Sequence, residues 1–466
     1  MLYFSIHTLG CKLNQLEGEA VAAAFRREGF PVIPWEGDPW EGGEAPPGSP
    51  RRLMVLNTCT VTSMAEQKAR RLIRAALRGG ALVLVTGCYA QLNSRELAAL
   101  GEGAAGRLFI IGGDKKSALL DLPRRLAAAG GEAAACIEDW IPGLSAAGGD
   151  GRFRFAPREF TAHTRGFLKI QDGCDRHCTY CRVRLARGGS VSLPPQEALR
   201  RLRELEAAGC AEAVLTGVNI CRYAFRGEGP ADLGGLLDLL LGGTERIRLR
   251  LSSLEPEDIG PSLLRPLACG RLRPHFHLSV QSGSRRVLER MGRPYGPEQV
   301  ERAVSQLRQI RGDPFVACDI IVGFPGEDDD DFNATFELCE RADFAWIHVF
   351  PYSPRPGTPA WQFKGQPPQR EVSARAGRLL DLARRGRRNY IRRWIGREVE
   401  LVPETARTEP GEGFCAATSE NYLKLLVPRR RNRDGRILRC RLREIPPPGD
   451  AAPPPGAFDA LGDLCP

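Results

Sequence analysis

Apolar positions in the first 125 residues alternate between two periods. Leu2–Thr8 is a short apolar run that predicts a strand. Asn14–Glu28 carries Leu16, Ala20, Ala23 and Ala24 at helical spacing and stops at Gly29. The alternation repeats: a strand at Leu53–Leu56, a helix at Met64–Leu77, a strand at Ala81–Thr86, a helix from about Ser94, and a fourth strand at Phe109–Ile111. Alternating β and α units predict a parallel sheet. Between the first helix and the second strand, residues 31–50 hold ten Pro or Gly in twenty positions, which predicts an exposed loop.

A Gly- and Pro-rich stretch at 141–158 reads as a linker, and a second α/β run follows. Its strands are predicted at Phe167–Ile170, Ala213–Leu215, Arg248–Leu251, His275–Val280, Phe315–Val322 and Ala345–Val349, with helices such as Pro195–Ala208 and Pro297–Arg311 between them. Six strands in ~200 residues fit a partial or complete (β/α) barrel. From Ile395 the pattern changes to short alternating segments, Glu398–Val402, Tyr422–Val427 and Arg436–Leu442, which predict a small β-barrel. Residues 446–466 hold seven prolines in 21 positions and are expected to be disordered. The expected fold class is therefore α/β. An open parallel-sheet domain (1–125) and a linker (126–159) precede a partial barrel (160–391), a small β-barrel (392–445) and a tail (446–466). No internal repeat and no Walker-type phosphate loop occurs.

Composition narrows the class. At 466 residues the chain has room for two to four domains of about 100–200 residues. Hydrophobic residues at 42% and charged residues at 26% exclude global disorder. No run approaches the ~18 apolar residues of a membrane span, and MLYFSIHTLGCKLNQ lacks the features of a signal peptide. A cytoplasmic protein without membrane contact is expected. The net charge is +10, yet residues 364–444 alone hold 21 Lys or Arg and 10 Asp or Glu. The basic excess therefore lies near the C-terminus, which points to a polyanionic partner met by one module.

The chain has 15 cysteines, an odd count that argues against a disulfide scaffold. The strongest local signal is Cys174-x3-Cys178-x2-Cys181, in DGCDRHCTYC. Three thiolates this close converge on one metal centre. A zinc knuckle needs a fourth ligand nearby; His177 is expected to point away, and Arg182–Ser192 contains no Cys or His. A 4Fe-4S cluster with an open fourth iron fits better, and it follows the first barrel strand, on the side where barrel active sites lie. The second signal is distributed. Cys11, Cys59 and Cys88 each follow a strand and precede a helix, in HTLGCKLN, LNTCTVT and VTGCYAQ. Strand ends of an open parallel sheet form a ligand crevice, so these three are expected to meet at a second cluster, against the alternative of three separate buried small residues. The other nine cysteines read as packing or surface residues.

These segments resemble the radical S-adenosylmethionine (SAM) methylthiotransferases. The resemblance rests on the three-cysteine segment with GCKLNQLEGE, NTCTVT, VTGCYAQ, LTGVNI, HLSVQSGSRRVLERMGR, DIIVGFPGE and PYSPRPGTPA, and runs from about residue 3 to about 445. GCKLNQ with NTCTVT is similar to the branch acting on N6-threonylcarbamoyladenosine in tRNA; the isopentenyladenosine branch usually reads GCQMN and NTCSIR.

The resemblance implies that the cluster on Cys174, Cys178 and Cys181 binds and cleaves SAM. The resulting 5′-deoxyadenosyl radical would take the hydrogen from C2 of the adenine, a bond too strong for acid–base removal. The cluster on Cys11, Cys59 and Cys88 would hold or supply sulfur. It further implies SAM contacts from Gly217 and Asn219, from Ser252 and Ser253, from Gln281 and Ser282, and from Asp319 and Gly323. A reducing donor such as flavodoxin or ferredoxin is expected, and tRNA through its anticodon stem-loop as partner. The C-terminal part resembles a TRAM domain, with GFCAATSENYLKLLV as its signature segment. Just before it, RRGRRNYIRRWIGR places Arg384, Arg388 and Arg392 on one helical face with Arg385 beside them, a surface expected to meet RNA phosphates. Glu327–Asp331 reads as a solvated helix N-terminus, not a metal site. Two departures stand out. After Cys181 the family commonly has two apolar residues, Pro and an aromatic, where this chain has RVRL. After Arg187-Gly188 it commonly has a Ser flanked by basic residues, where this chain has GSVSL. Other readings are a methylthiotransferase for isopentenyladenosine or for a ribosomal protein aspartate, and a non-catalytic iron–sulfur RNA-binding protein.

Overall fold

The computed structural model describes residues 2–33, 51–104, 106–130, 132–146, 148, 150–157, 164–404, 414–429, 436–444 and 458–465. Most of the predicted loop at 31–50 and much of the predicted tail lie outside them. The chain divides into two compact units. The first comprises Met1–Glu159, Gln171–His177 and Cys181–Leu193; the second comprises Phe160–Ile170, Cys178–Tyr180 and Pro194–Pro466.

The first unit is built on four parallel strands in sequential order, β1 (Leu2–Thr8), β2 (Arg51–Thr58), β3 (Leu82–Gly87) and β4 (Leu108–Ile110). Successive side chains alternate between its faces. Phe4, Val55, Leu84 and Phe109 pack on one side with Val21 and Phe25 of the helix Lys12–Arg27. Met54, Leu56, Val83 and Val85 pack on the other with Ile73 and Ala76 of the helix Ser63–Arg78. That second helix starts where the Thr62 hydroxyl accepts the Ala65 N–H at 3.2 Å. The expected linker at 126–159 is not a linker. Its helix Ala133–Trp140 and Phe155 bury Ile137, Trp140 and Phe155 in the first core, because each large apolar side chain gains roughly 1.5–3 kcal/mol by leaving water.

The second unit holds six parallel strands. Gly166–Lys169 (β5) pairs with Glu212–Thr216, which pairs with Arg248–Leu251. His275–Gln281 pairs with Phe315–Val322, which pairs with Trp346–Pro351. Parallel bridges Leu249–Leu272 and Leu254–Leu278 join the two sets. Among the described residues the first and last strands do not pair, so the barrel is partial.

A closed five-stranded barrel follows. It uses Glu398–Pro403, Phe414–Ser419, Lys424–Pro428 and Leu438–Arg443, and its fifth strand is Ala460–Leu464. That strand corrects the expectation of a disordered tail over 446–466. It pairs with both Lys424–Pro428 and Leu438–Arg443, which removes two open edges. The division at residue 391 does not separate two cores either. Phe315, Ala317 and Ala345 of the parallel barrel share a cluster with Tyr390, Val399, Leu425 and Cys440. The junction also carries buried charge. Glu212 pairs with Arg250 and Arg273 at 2.6 and 2.7 Å; Arg250 donates to the carbonyls of Ser419 and Glu420, and Arg273 reaches Glu400. The closed barrel thus docks at the N-terminal ends of these parallel strands, away from the ends that bear the expected SAM contacts.

Candidate functional site

Cys11, Cys59 and Cys88 stand just past the C-terminal ends of β1, β2 and β3. The register carries this through: Thr8 pairs with Asn57, Thr58 pairs with Gly87, and the Leu9 N–H reaches the Asn57 carbonyl at 2.8 Å. Glycine permits the close approach. Gly10 has φ +102, and a Cβ there would lie 2.6 Å from Cys59 Cβ and 2.8 Å from its Sγ. Gly87 has φ +99, and a Cβ there would lie 2.4 Å from the Thr58 carbonyl oxygen. Asn14 ties the loops together, donating to the carbonyls of Leu9 (2.8 Å) and Thr58 (3.1 Å), while Asn57 donates to the Asn14 carbonyl.

The Cys59 thiol senses the other two. Burial pushes the Cys59 thiol up to about 11; the Val61 N–H on its sulfur opposes this, Cys11 and Cys88 add to it, and Arg187 opposes it. Among the described residues no three ligating side chains are already drawn together as a metal-ion site. The donor set nevertheless suits a thiolate-bound iron–sulfur group: three thiols on three adjacent strand ends, with a cationic group needed to hold them ionised together.

Arg187 supplies fixed positive charge to the three cysteines. Its guanidinium contacts Asn14 Oδ1 at 2.8 Å, Glu17 at 3.1 Å and Asp172 at 3.0 Å, and it faces Cys88 and Cys11. Lys116 pairs with the same Glu17 and donates to Asn57 Oδ1. The first residue of the departure RVRL has a structural role here. Arg182 is buried, donating to Thr60 and Glu66 beside NTCTVT and to Asn93 after VTGCYAQ. Sequence reasoning missed both arginines as site residues. Apart from Asp172, their partners lie about ninety residues or more away along the chain, and no local spacing marks them.

Around Cys174 the backbone is pinned. The Cys174 N–H reaches the Gly188 carbonyl at 3.0 Å, and Gly173, at φ +73, lies so close to Gly189 that a Cβ would come within 1.9 Å of its carbonyl oxygen. His177 is occupied by Arg184. Cys174 and Cys181 belong to the first unit and Cys178 to the second, so the convergence of the three thiols rests on their spacing. Cys178–Tyr180 is clamped in the second unit: the Thr179 N–H meets the Met291 carbonyl at 2.9 Å, and the Ala360 N–H meets the Thr179 carbonyl at 2.8 Å.

The expected SAM contacts divide. Gly217, Asn219, Ser252, Ser253 and Gln281 all stand at or just past C-terminal strand ends. Asn219 donates to Glu255 at 3.0 Å, and Ser253 Oγ lies 2.7 Å from His277, whose Nε2 is 3.1 Å from Asp319. Gln281 holds φ +68, a left-handed conformation that a non-glycine residue adopts at a cost of about 1–3 kcal/mol. Two others already have structural work. Ser282 is buried against Thr335 and accepts the Ser284 N–H; a Cβ on Gly323 would strike Val372 at 2.5 Å. Glu327–Asp331 is only partly solvated. Glu327 is buried against Arg375 (2.9 Å), Asp328 caps the helix Asp329–Arg341, and Asp329 is exposed.

The helix Gln369–Trp394 sorts its arginines. Arg384, Arg385, Arg388 and Arg392 are exposed. Arg384 pairs with Asp381 and Arg385 with Glu340; Arg388 and Arg392 form no ion pair among the described residues. Arg387 turns inward to Asp459, and Arg393 to Asp313 and Asp343.

An open parallel barrel with a three-cysteine segment after its first strand defines a radical SAM protein, and the family model of the Radical SAM superfamily matches residues 168–339. A second model, Uncharacterized protein family UPF0004, matches residues 3–106. The chain belongs to the tRNA methylthiotransferases. It is 40% identical to threonylcarbamoyladenosine tRNA methylthiotransferase MtaB of Treponema pallidum, covering 92% of this chain and 95% of the relative. It is 35% identical to the protein of the same name from Thermotoga maritima, over 90% of each. A tRNA-2-methylthio-N(6)-dimethylallyladenosine synthase from Erythrobacter litoralis is 30% identical over 88% of each chain. Among solved structures, the radical SAM methyltransferase TsrM from Kitasatospora setae shares the fold, with a TM-score of 0.51 at 18% identity over 77% of this chain and 76% of that one.

Proposed function

We propose that this protein transfers a methylthio group to C2 of N6-threonylcarbamoyladenosine at position 37 of tRNA, beside the anticodon. The observation that carries the reading is the placement of three cysteines just past the ends of the adjacent strands β1, β2 and β3 in a chain that also bears the radical SAM segment. Cys174, Cys178 and Cys181 would hold the SAM-binding 4Fe-4S cluster, and Cys11, Cys59 and Cys88 a second one. When bound, the first cluster with SAM supplies the radical that removes the C2 hydrogen, and the second supplies sulfur.

The protein's own groups bind and orient. Asn219, Ser253 and Gln281 at the strand ends, with Asp319 inside the strand Phe315–Val322 and 3.1 Å from His277, would receive SAM. Gly10 and Gly87 let the second set of thiols approach, and Arg187 compensates their charge. The adenine must leave its stack to reach C2-directed chemistry, and the exposed face of Arg384, Arg385, Arg388 and Arg392 would hold the phosphates of the anticodon stem-loop. A low-potential donor of the flavodoxin or ferredoxin type would feed electrons. The protein would act in the cytoplasm; among the described residues no helix is long and apolar enough to cross a membrane.

The test is mass spectrometry of tRNA nucleosides from cells with and without the gene. The expected result is loss of 2-methylthio-N6-threonylcarbamoyladenosine with accumulation of its unthiolated precursor. The similarity to the dimethylallyladenosine synthase favours one second reading, in which the isopentenyl nucleoside loses its methylthio group instead.

A further inference from the structure

The segment HLSVQSGSRRVLERMGR ends at Arg293, a residue to which the proposed function gives no task. Arg293 is buried, at 7% exposure, in the second unit. Its Nη1 lies 3.3 Å from Cys178 Sγ. Every other edge of the guanidinium is held. Nη2 pairs with the Glu255 carboxylate and donates to the Ser279 carbonyl at 3.0 Å, and Nε donates to Tyr295 Oη at 3.0 Å. Glu255 is fixed in turn by Asn219 Nδ2 at 3.0 Å, and its own N–H reaches Cys221 Sγ at 3.3 Å. The pair thus runs from a cluster ligand to a strand-end residue expected to meet SAM.

Resting on the cluster assignment above, we infer that Arg293 is a positioning residue for the radical SAM cluster: it donates a charged hydrogen bond to the Cys178 sulfur and thereby raises the cluster's reduction potential. An iron-bound thiolate keeps lone pairs and accepts hydrogen bonds, and hydrogen bonds to the sulfurs set the potentials of such clusters. Adding an electron makes the cluster more negative, so a fixed cation at one ligand favours the reduced form. Arginine suits this because it stays charged when buried and its fork is rigid. A buried ion pair that only stabilised the fold would need Glu255 and the Ser279 carbonyl. It would not need the remaining N–H group to face Cys178.

The experiment is an EPR-monitored redox titration of the full chain, reconstituted without oxygen. Cys11, Cys59 and Cys88 are replaced by Ala so that one cluster reports. Arg293→Gln is expected to shift the reduction equilibrium at least tenfold toward the oxidised form, about 59 mV for one electron. Arg293→Lys, which keeps the charge but not the fork, is expected to fall between Gln and the parent. An unchanged potential in a loaded Gln variant overturns the inference. So does loss of the cluster from both variants, which would mark Arg293 as a requirement for building the site. A parent protein that binds no EPR-active cluster would instead overturn the functional reading.

Discussion

At the scale of single residues, the second thiol set depends on two glycines more than on any hydrogen bond. Gly87 sits at φ +99 and ψ −166, a region open essentially to glycine alone, and its neighbour at 2.4 Å is backbone, which cannot swing aside. Gly87→Ala is expected to lower stability by about 1–3 kcal/mol in chemical denaturation. It is also expected to lower bound iron by roughly half, in proportion to one cluster of two, while SAM cleavage at the other cluster persists. Iron analysis of the purified variant checks the second outcome. The motif GCKLNQ also gains a residue-level meaning, since Asn14 is the polar tie between the Cys11 and Cys59 loops.

At the scale of elements, the arginine-rich helix separates into two functions that composition merges. Arg387 and Arg393 anchor it, each over an aromatic ring, Phe315 and Tyr390, and each paired with Asp. Arg388 and Arg392 project from it. Replacing both by Glu is expected to weaken tRNA binding. The slope of log affinity against log salt should shrink by about one unit for each phosphate no longer neutralised. Folding stability should stay within about 0.5 kcal/mol. Arg393→Ala is expected to do the opposite, lowering stability by up to about 1 kcal/mol with the salt slope unchanged. Filter binding over a salt series, with parallel urea melts, distinguishes the two.

At the scale of the molecule, the second unit is held together by charge at the base of its barrel. Burial pushes the Glu212 carboxyl up, yet Arg250 and Arg273 outweigh it and hold the group down to about 2. Because the folded value lies below the unfolded one near 4.5, this contribution is complete above about pH 4.5 and is lost as the pH falls toward 2. Glu212→Gln removes the carboxylate shared by two buried guanidinium groups; Arg273 keeps Glu400, whereas Arg250 keeps the carbonyls of Ser419 and Glu420. It is expected to cost about 3–5 kcal/mol and to flatten the acid limb of a stability–pH curve. Urea unfolding across pH 2–7 reads both. The docking also has a functional consequence: the closed barrel occupies the N-terminal strand ends, which leaves the opposite ends, with Asn219, Glu255 and Cys178, for chemistry.

What the sequence determined by itself was whatever depends on near neighbours. Period-2 and period-3.6 patterns placed the four strands of the first sheet and the six of the barrel, usually to within two residues. The six cysteines stood out because three lie within eight residues and three recur at the same point of successive units. Tertiary structure alone decided the rest. The strand Ala460–Leu464 follows a proline-rich stretch whose composition speaks for disorder, and it is ordered because it closes two barrel edges. Phe155 and Trp140 read as linker and are core, because burial depends on what the fold brings over them. The buried roles of Arg187, Arg293 and Glu212 gave no signal, because a buried charge is stable only where partners meet it, and most of those partners are brought there only once the chain has folded.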